Sequence, residues 1–201
     1  KYLKLSLGLR YSKLHGAREA QEDTSAVNPS VGVLISPVEN VNLFGSYTTT
    51  TSLREANNPM QNGDVVGPGK TTQWEAGVKS DWLEEKLRFN LTLFYINNDN
   101  LSFSVLNESG AATGYYDLAG NLERKGIEAE VIGRINRNLQ VMAGYAYLDA
   151  QYKDSPAYVN GSEPMNAPNH TANAWLNYAF KDGALSGLDL GAGVYYVGER
   201  P

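Results

Sequence analysis

Glu128 and Glu130 stand two residues apart in a run with strand periodicity, so both project from one face. Two such carboxylates could divide the roles of general acid and general base. Lys79, Arg88 and Arg134 occupy the matching parity of this and neighbouring runs, which makes solvation and ion pairing the expected use of both acids. The imidazoles offer little more. His15 and His170 fall in a loop or at a strand end, and neither has a Ser at a nucleophile–base spacing. No G-x-S-x-G, H-E-x-x-H, Walker or dinucleotide fingerprint occurs. With no cysteine, disulfides and thiolate metal sites are excluded. The expectation is therefore a protein with no catalytic residues, no resident metal and no enzymatic activity. Asn90-Leu-Thr92 and Asn107-Glu-Ser109 match a glycosylation pattern, but the first lies mid-strand, and both read as chance. A net charge of −5 without a Lys/Arg-rich patch argues against nucleic acid as a partner.

The elements that would carry these residues are strands. Leu3, Leu5, Leu7, Leu9 and Tyr11 take one parity, while Lys4, Ser6, Gly8, Arg10 and Ser12 take the other. Trp74, Ala76, Val78 and Trp82 alternate with Gln73, Glu75, Gly77, Lys79 and Asp81. Leu87, Phe89, Leu91, Leu93 and Tyr95 alternate with Lys86, Arg88, Asn90 and Thr92. Period two means strands with one wet and one apolar face. Nine strands are predicted, over 1–12, 29–37, 40–51, 71–82, 86–98, 122–135, 138–151, 168–180 and 187–198. Residues 101–118 are read as able to prolong the fifth and sixth strands.

Connections alternate in length. Pro37 to Asn40, Leu83 to Glu85, Asn136 to Asn138 and a turn opening at Lys181-Asp182-Gly183 are short. Residues 13–28, 52–70, 99–121 and 152–167 are long and rich in Asn, Gly, Pro, Asp and Ser. Strict alternation puts all long loops on one side, as in outer-membrane barrels with short periplasmic turns and long extracellular loops. A soluble antiparallel sandwich also alternates its faces, but its strands are shorter and its loops do not segregate by length. The mean hydropathy of −0.39 is compatible with a barrel whose inner face is wet.

Trp74 and Trp82 lie eight residues apart on the apolar parity. At ~3.3 Å per residue and a tilt of ~40° they are separated vertically by roughly 20 Å, close to the height of an apolar band. Trp82 and Phe180 would mark a girdle at the short-turn rim, and Trp74, Tyr95 and Tyr147 one at the loop rim. Trp175 falls on the opposite parity from Ala174 and Leu176 and is placed inside. The inward set is Glu75, Lys79, Asp81, Arg88, Asn90, Glu128, Glu130 and Arg134, with Gly191 and Gly193 on the last strand. A hairpin with Trp82 opposite Leu87 would pair Asp81 with Arg88 inside the wall.

Several stretches, in order along the chain, resemble one family. They include Asn28-Pro-Ser-Val-Gly-Val-Leu-Ile-Ser-Pro37, Gln73-Trp-Glu-Ala-Gly-Val-Lys79 and Leu91-Thr-Leu-Phe-Tyr-Ile96. The most specific is Arg124-Lys-Gly-Ile-Glu-Ala-Glu130, similar to an "R-x-G-[IVL]-E-x-E" strand signature carried by Arg124, Gly126, Glu128 and Glu130. Gly144-Tyr-Ala-Tyr-Leu-Asp149, Ala167-Pro-Asn-His170 and Gly191-Ala-Gly-Val-Tyr-Tyr-Val-Gly-Glu-Arg200 complete the series. Together they resemble the TonB-dependent ferric-siderophore receptors of Gram-negative outer membranes.

The resemblance implies an all-β, antiparallel transmembrane β-barrel segment from the C-terminal half of a roughly 22-stranded barrel, about strands 11 to 19. Residues 1–201 would then be a partial barrel, a curved open sheet if alone, lacking the plug domain, the TonB box and the last strands. It further implies import of ferric siderophores energised through TonB, with the plug of the same full-length chain and outer-membrane lipid as further partners. Iron would enter only within the ligand, and no cofactor is implied. Tyr115, Tyr116 and Tyr158, in the long loops, are the ligand-contact candidates, because aromatic rings bury much area at low entropic cost. A TonB-dependent importer of haem or cobalamin remains open, as does a passive porin, although no long loop clusters the charges of a constriction.

Overall fold

The computed structural model describes residues 2–15, 23–53 and 56–201. Its described elements are β1 (Tyr2–Leu14), β2 (Thr24–Val38), β3 (Val41–Ser52), β4 (Gly69–Trp82), β5 (Leu87–Leu106), β6 (Ala112–Arg134), β7 (Leu139–Lys153), β8 (His170–Ala179) and β9 (Asp189–Val197). They form one antiparallel sheet in chain order, the arrangement that hairpin connections produce when each strand pairs with the next.

Paired residues point to the same side of an antiparallel sheet, so the register sorts the faces. Leu5, Val33, Gly45, Ala76, Leu93, Ile127 and Tyr147 form one continuous paired row on the apolar face. Lys79, Asn90, Glu130, Gly144 and Asn173 form a row on the polar face. A register slip of one residue would exchange the faces, and β4 and β5 pair from Trp82 opposite Leu87 to Lys70 opposite Asp99 without one.

Among the described residues no second layer covers the apolar face, since each strand packs only against its neighbours in sequence. Leu5 is 64% exposed and Leu9 76%. Val78 and Leu91, equally apolar, are only half-buried, by the flanking strands. Buried apolar side chains are few among the described residues, and Leu53, Ala56, Val66, Ala119 and Ala150 all lie toward the long-loop end.

The structure lengthens several expected strands. β2 begins at Thr24 rather than at 29, so much of the expected loop 13–28 is strand, and its middle, 16–22, lies outside the described residues. The third long connection is a hairpin: β5 and β6 run on as a pair and leave only residues 107–111 as a tip. Three register shifts between Asn98 and Leu106 let this extension bend. Tyr115 and Tyr116 therefore sit on a strand and not in a loop. This is the prolongation expected over residues 101–118, with a register that the shifts make irregular. Phe180 lies one residue beyond β8, and the fourth short connection runs over residues 180–188, where Gly183 and Gly187 take left-handed φ of 77° and 93°. The second turn places Leu83, Glu84 and Glu85 all at positive φ (54°, 58° and 65°), a strained path for side-chain-bearing residues.

Candidate functional site

On the polar face the expected ion pair forms: Arg88 Nε lies 2.8 Å from Asp81 Oδ1. Asn90 Nδ2 donates to Glu130 Oε2 at 2.9 Å, and Gln73 Nε2 to Glu75 Oε1 at 2.7 Å. Lys79, Asn90, Thr92, Glu128, Glu130 and Asn173 line a shallow concavity of about 490 Å³. The two glutamates share it with a lysine, two amides and the Thr92 hydroxyl, so this part of the wall is polar and suited to contact with water. Among the described residues no group of three or more His, Asp or Glu side chains converges as a metal site.

Three contacts on this face were not foreseen. The Phe44 ring covers Gly77, the Phe94 ring covers Gly126, and the Trp175 ring lies across Gly191 and Gly193. A Cβ added at Gly126 would sit 2.6 Å from Phe94 and 2.1 Å from the Tyr147 carbonyl oxygen. Glycine in a strand interior marks such close approaches, and its recurrence on the polar parity was the available signal. The Lys79 ammonium caps the Phe44 ring at 5.0 Å. Trp175 thus lies on the polar face, as expected. Arg124 donates to Asn98 Oδ1, while its buried Nε has no hydrogen-bond partner.

The apolar face carries most of the aromatics expected at the rims. Trp74 and Tyr95 are directly paired, and Trp74 tilts against Tyr47 with centroids 4.4 Å apart. Tyr95 donates its hydroxyl to Glu123 at 3.1 Å, and the Trp82 indole donates to Ser80 Oγ at 3.0 Å. Phe180 packs edge-on against Tyr178 at 4.8 Å. Tyr147 lies 5.1 Å from the His170 ring, whose Nδ1 is 2.9 Å from the Tyr145 hydroxyl. Each ring thus keeps its body against the apolar face, and the Trp and Tyr tips find polar partners where these contacts are made.

At the long-loop end, Tyr158 stacks on Tyr152 with centroids 4.3 Å apart and 20° between planes, and lies 6.4 Å from Phe103. Tyr152 is paired with Leu122, on the same parity as Arg124 and Glu128, so this cluster stands above the polar face. Alternation gave no hint of it, because three separate elements contribute one ring each. Tyr115 is 44% exposed on the β5–β6 extension. Tyr116 instead donates its backbone N–H to Pro59 O at 2.9 Å, docking the second long loop. Among the described residues no ring contact joins Tyr115 or Tyr116 to Tyr158.

An uncovered apolar face, a wet opposite face, short turns at one end and built loops at the other define the wall of a membrane β-barrel. The family model for the β-barrel of TonB-dependent receptor-like proteins matches residues 1–201, and the chain belongs to that family of outer-membrane proteins. It is 33% identical over 205 residues to the ferrioxamine B receptor of Salmonella typhimurium, covering 96% of this chain and 28% of that protein. It is 31% identical over 181 residues to the metal-pseudopaline receptor CntO of Pseudomonas aeruginosa, covering 90% of this chain and 25% of that one. The pyoverdine outer-membrane receptor FpvA of Pseudomonas aeruginosa, bound to pyoverdine, superposes with a TM-score of 0.75 at 23% identity, over 95% of this chain and 28% of that one. The chain thus spans between a quarter and three tenths of these proteins' length. The fold class expected from the sequence holds, and the apolar face is the one turned to the outer membrane.

Proposed function

We propose that the full-length protein takes up ferric siderophores across the outer membrane, energised through TonB acting on a plug domain of the same chain. The observation that carries this reading is the family match along the whole chain, with curated relatives that bear names of siderophore and metallophore receptors. The wall itself makes no bonds and needs no cofactor; iron arrives as part of the cargo. Residues 1–201 supply part of the barrel, whose polar face would meet the plug and the passing ligand. Trp82 and Phe180 would anchor the short-turn rim at headgroup depth, and Trp74, Tyr95 and Tyr147 the loop rim.

The ligand contact falls on the aromatic cluster of Tyr158, Tyr152 and Phe103, with Tyr115 as an exposed second contact. Stacked rings over a polar wall suit a bulky, partly apolar iron chelate. Arg124 beneath them offers an always-charged group to an anionic or carbonyl-rich ligand. The test is growth of a deletion strain, with and without the full-length gene, under iron limitation on a panel of ferric siderophores led by ferrioxamine B. Growth and radio-iron uptake that require both the gene and TonB support the reading. Uptake of none of the panel, or uptake unaffected by loss of TonB, refutes it. Tyr158→Ala in the full-length protein is expected to weaken ligand binding by roughly tenfold, the loss of about one well-stacked ring.

A further inference from the structure

The second long loop is not a free strap. It has a ladder of its own: Gly67 N–H donates to Ala56 O at 2.9 Å, Val66 N–H to Asn58 O at 3.0 Å and Met60 N–H to Asp64 O at 2.8 Å. The Asn62 side chain accepts from Asp64 N–H at 3.0 Å and closes the tip as an Asx turn. Ala56 is 2% exposed and Val66 5%, although both belong to a surface connection. This small hairpin lies across the β5–β6 extension and reaches its far strand, where Pro59 O accepts from Tyr116 N–H and Met60 forms an isolated parallel bridge with Tyr116.

One side chain ties the two together at their base. Asn100 Nδ2 donates to Val66 O at 2.7 Å and to Pro68 O at 3.4 Å. Asn100 sits at the first register shift of β5 with φ of 59°, a left-handed conformation that asparagine tolerates better than most residues. The facing Gly67 is also left-handed at φ 80°, and a Cβ there would lie 3.3 Å from that same amide nitrogen. Phe103, three residues further along β5, is the ring that meets Tyr158.

We propose that Asn100 is a positioning residue for the ligand site: it clamps the second long loop to the β5–β6 extension and thereby holds Phe103 where Tyr158 and Tyr152 need it. The proposal rests on the reading of that aromatic cluster as the ligand contact. The amide acts through hydrogen bonds to two backbone carbonyls, and it touches no ligand. Aspartate at this position keeps the shape and the backbone preference but turns an oxygen toward both carbonyls. Glycine keeps the backbone conformation and removes the donor.

The test uses the full-length receptor, with Asn100→Asp and Asn100→Gly, and ferrioxamine B as the probe. Both variants are expected to weaken binding by roughly tenfold, the loss of about one or two net hydrogen bonds. Uptake at saturating ligand is expected to stay unchanged, so that half-saturation moves and the maximum does not. Hydrogen exchange in residues 56–67 should accelerate in both. A tether then serves as rescue. The chain has no cysteine, and Met60→Cys with Tyr116→Cys places one on each side of the docking contact. Paired residues of adjacent strands lie about 5 Å apart, within the ~4.4–6.8 Å that a disulfide spans. In the Asn100→Asp background, the oxidised form of this pair should bind more tightly than its own reduced form and protect residues 56–67. Binding within twofold of wild type in both Asn100 variants overturns the proposal. So does oxidation that restores exchange protection but not affinity. Failure of the wild-type receptor to bind any ferric siderophore would refute the functional reading and with it a positioning role for Asn100; the exchange data would then report on the loop clamp alone.

Discussion

Replacing Gly126 by alanine tests whether the signature strand is shaped by packing or by ligand chemistry. Gly126 has no unusual backbone angle among the positive-φ glycines, so only space matters. An added Cβ would lie 2.1 Å from the Tyr147 carbonyl oxygen, and 2.6 Å and 3.0 Å from two atoms of the Phe94 ring. Ordinary van der Waals contact begins near 3.4 Å, so the methyl is more than 1 Å too close to backbone and somewhat less so to the ring. The ring can rotate away, whereas the carbonyl belongs to the neighbouring strand and moves only with it. Overpacking of this kind costs about 1–3 kcal/mol. Since the tighter contact is backbone, Gly126→Ala should destabilise the barrel by about 2–3 kcal/mol. Adding Phe94→Ala should recover less than half of that. The measurement is equilibrium urea unfolding of the full-length receptor reconstituted in phospholipid vesicles. A single variant within about 0.5 kcal/mol of wild type, or full recovery in the double variant, would refute the reasoning. Ligand affinity, measured alongside, should follow stability and not fall independently.

Other consequences are sharper in sign than in size. Val78 lies midway between Trp74 and Trp82 on the lipid-facing side, so Val78→Arg should cost about 2–4 kcal/mol, and Trp82→Arg at the rim only ~0–1 beyond the lost ring; equal costs in a vesicle-based unfolding series would contradict the depth assignment. In the second short turn, the Lys86 ammonium, hydrogen-bonded at 2.5 Å, holds the Glu84 carboxyl below the usual carboxylate range. Its folded value is depressed, so the small contribution of this pair is present above the unfolded value and fades as pH falls through the folded one. Carboxyl NMR should show Glu84 titrating upward in Lys86→Gln, and an unchanged Glu84 would exclude the pair as the cause. Removing Arg88 should leave uptake unchanged, because its guanidinium is exposed and its pairing with the half-buried Asp81 contributes little.

Alternation alone decided much of this protein. Leu3 through Tyr11 and Trp74 through Trp82 each state, residue by residue, which side is apolar, and a period of two leaves no other geometry for that information. The turn chemistry then fixed the register of β4 and β5, so the Asp81–Arg88 contact was legible in the sequence, and parity alone gave the inward place of Trp175. What sequence left open lies where contacts join residues far apart in the chain. Phe94 faces Gly126 and Tyr152 faces Tyr158 because strands and loops bring them together, and no local pattern encodes a partner. The prolongation of β5 and β6 over 101–118 was legible in the alternation there, but the register shifts near Asn100 interrupt the period, so its pairing, and the second loop laid across it, became visible only in three dimensions. Local sterics and the pleat set faces and strands; the loop-end site depends on long-range packing, which only the tertiary structure decides.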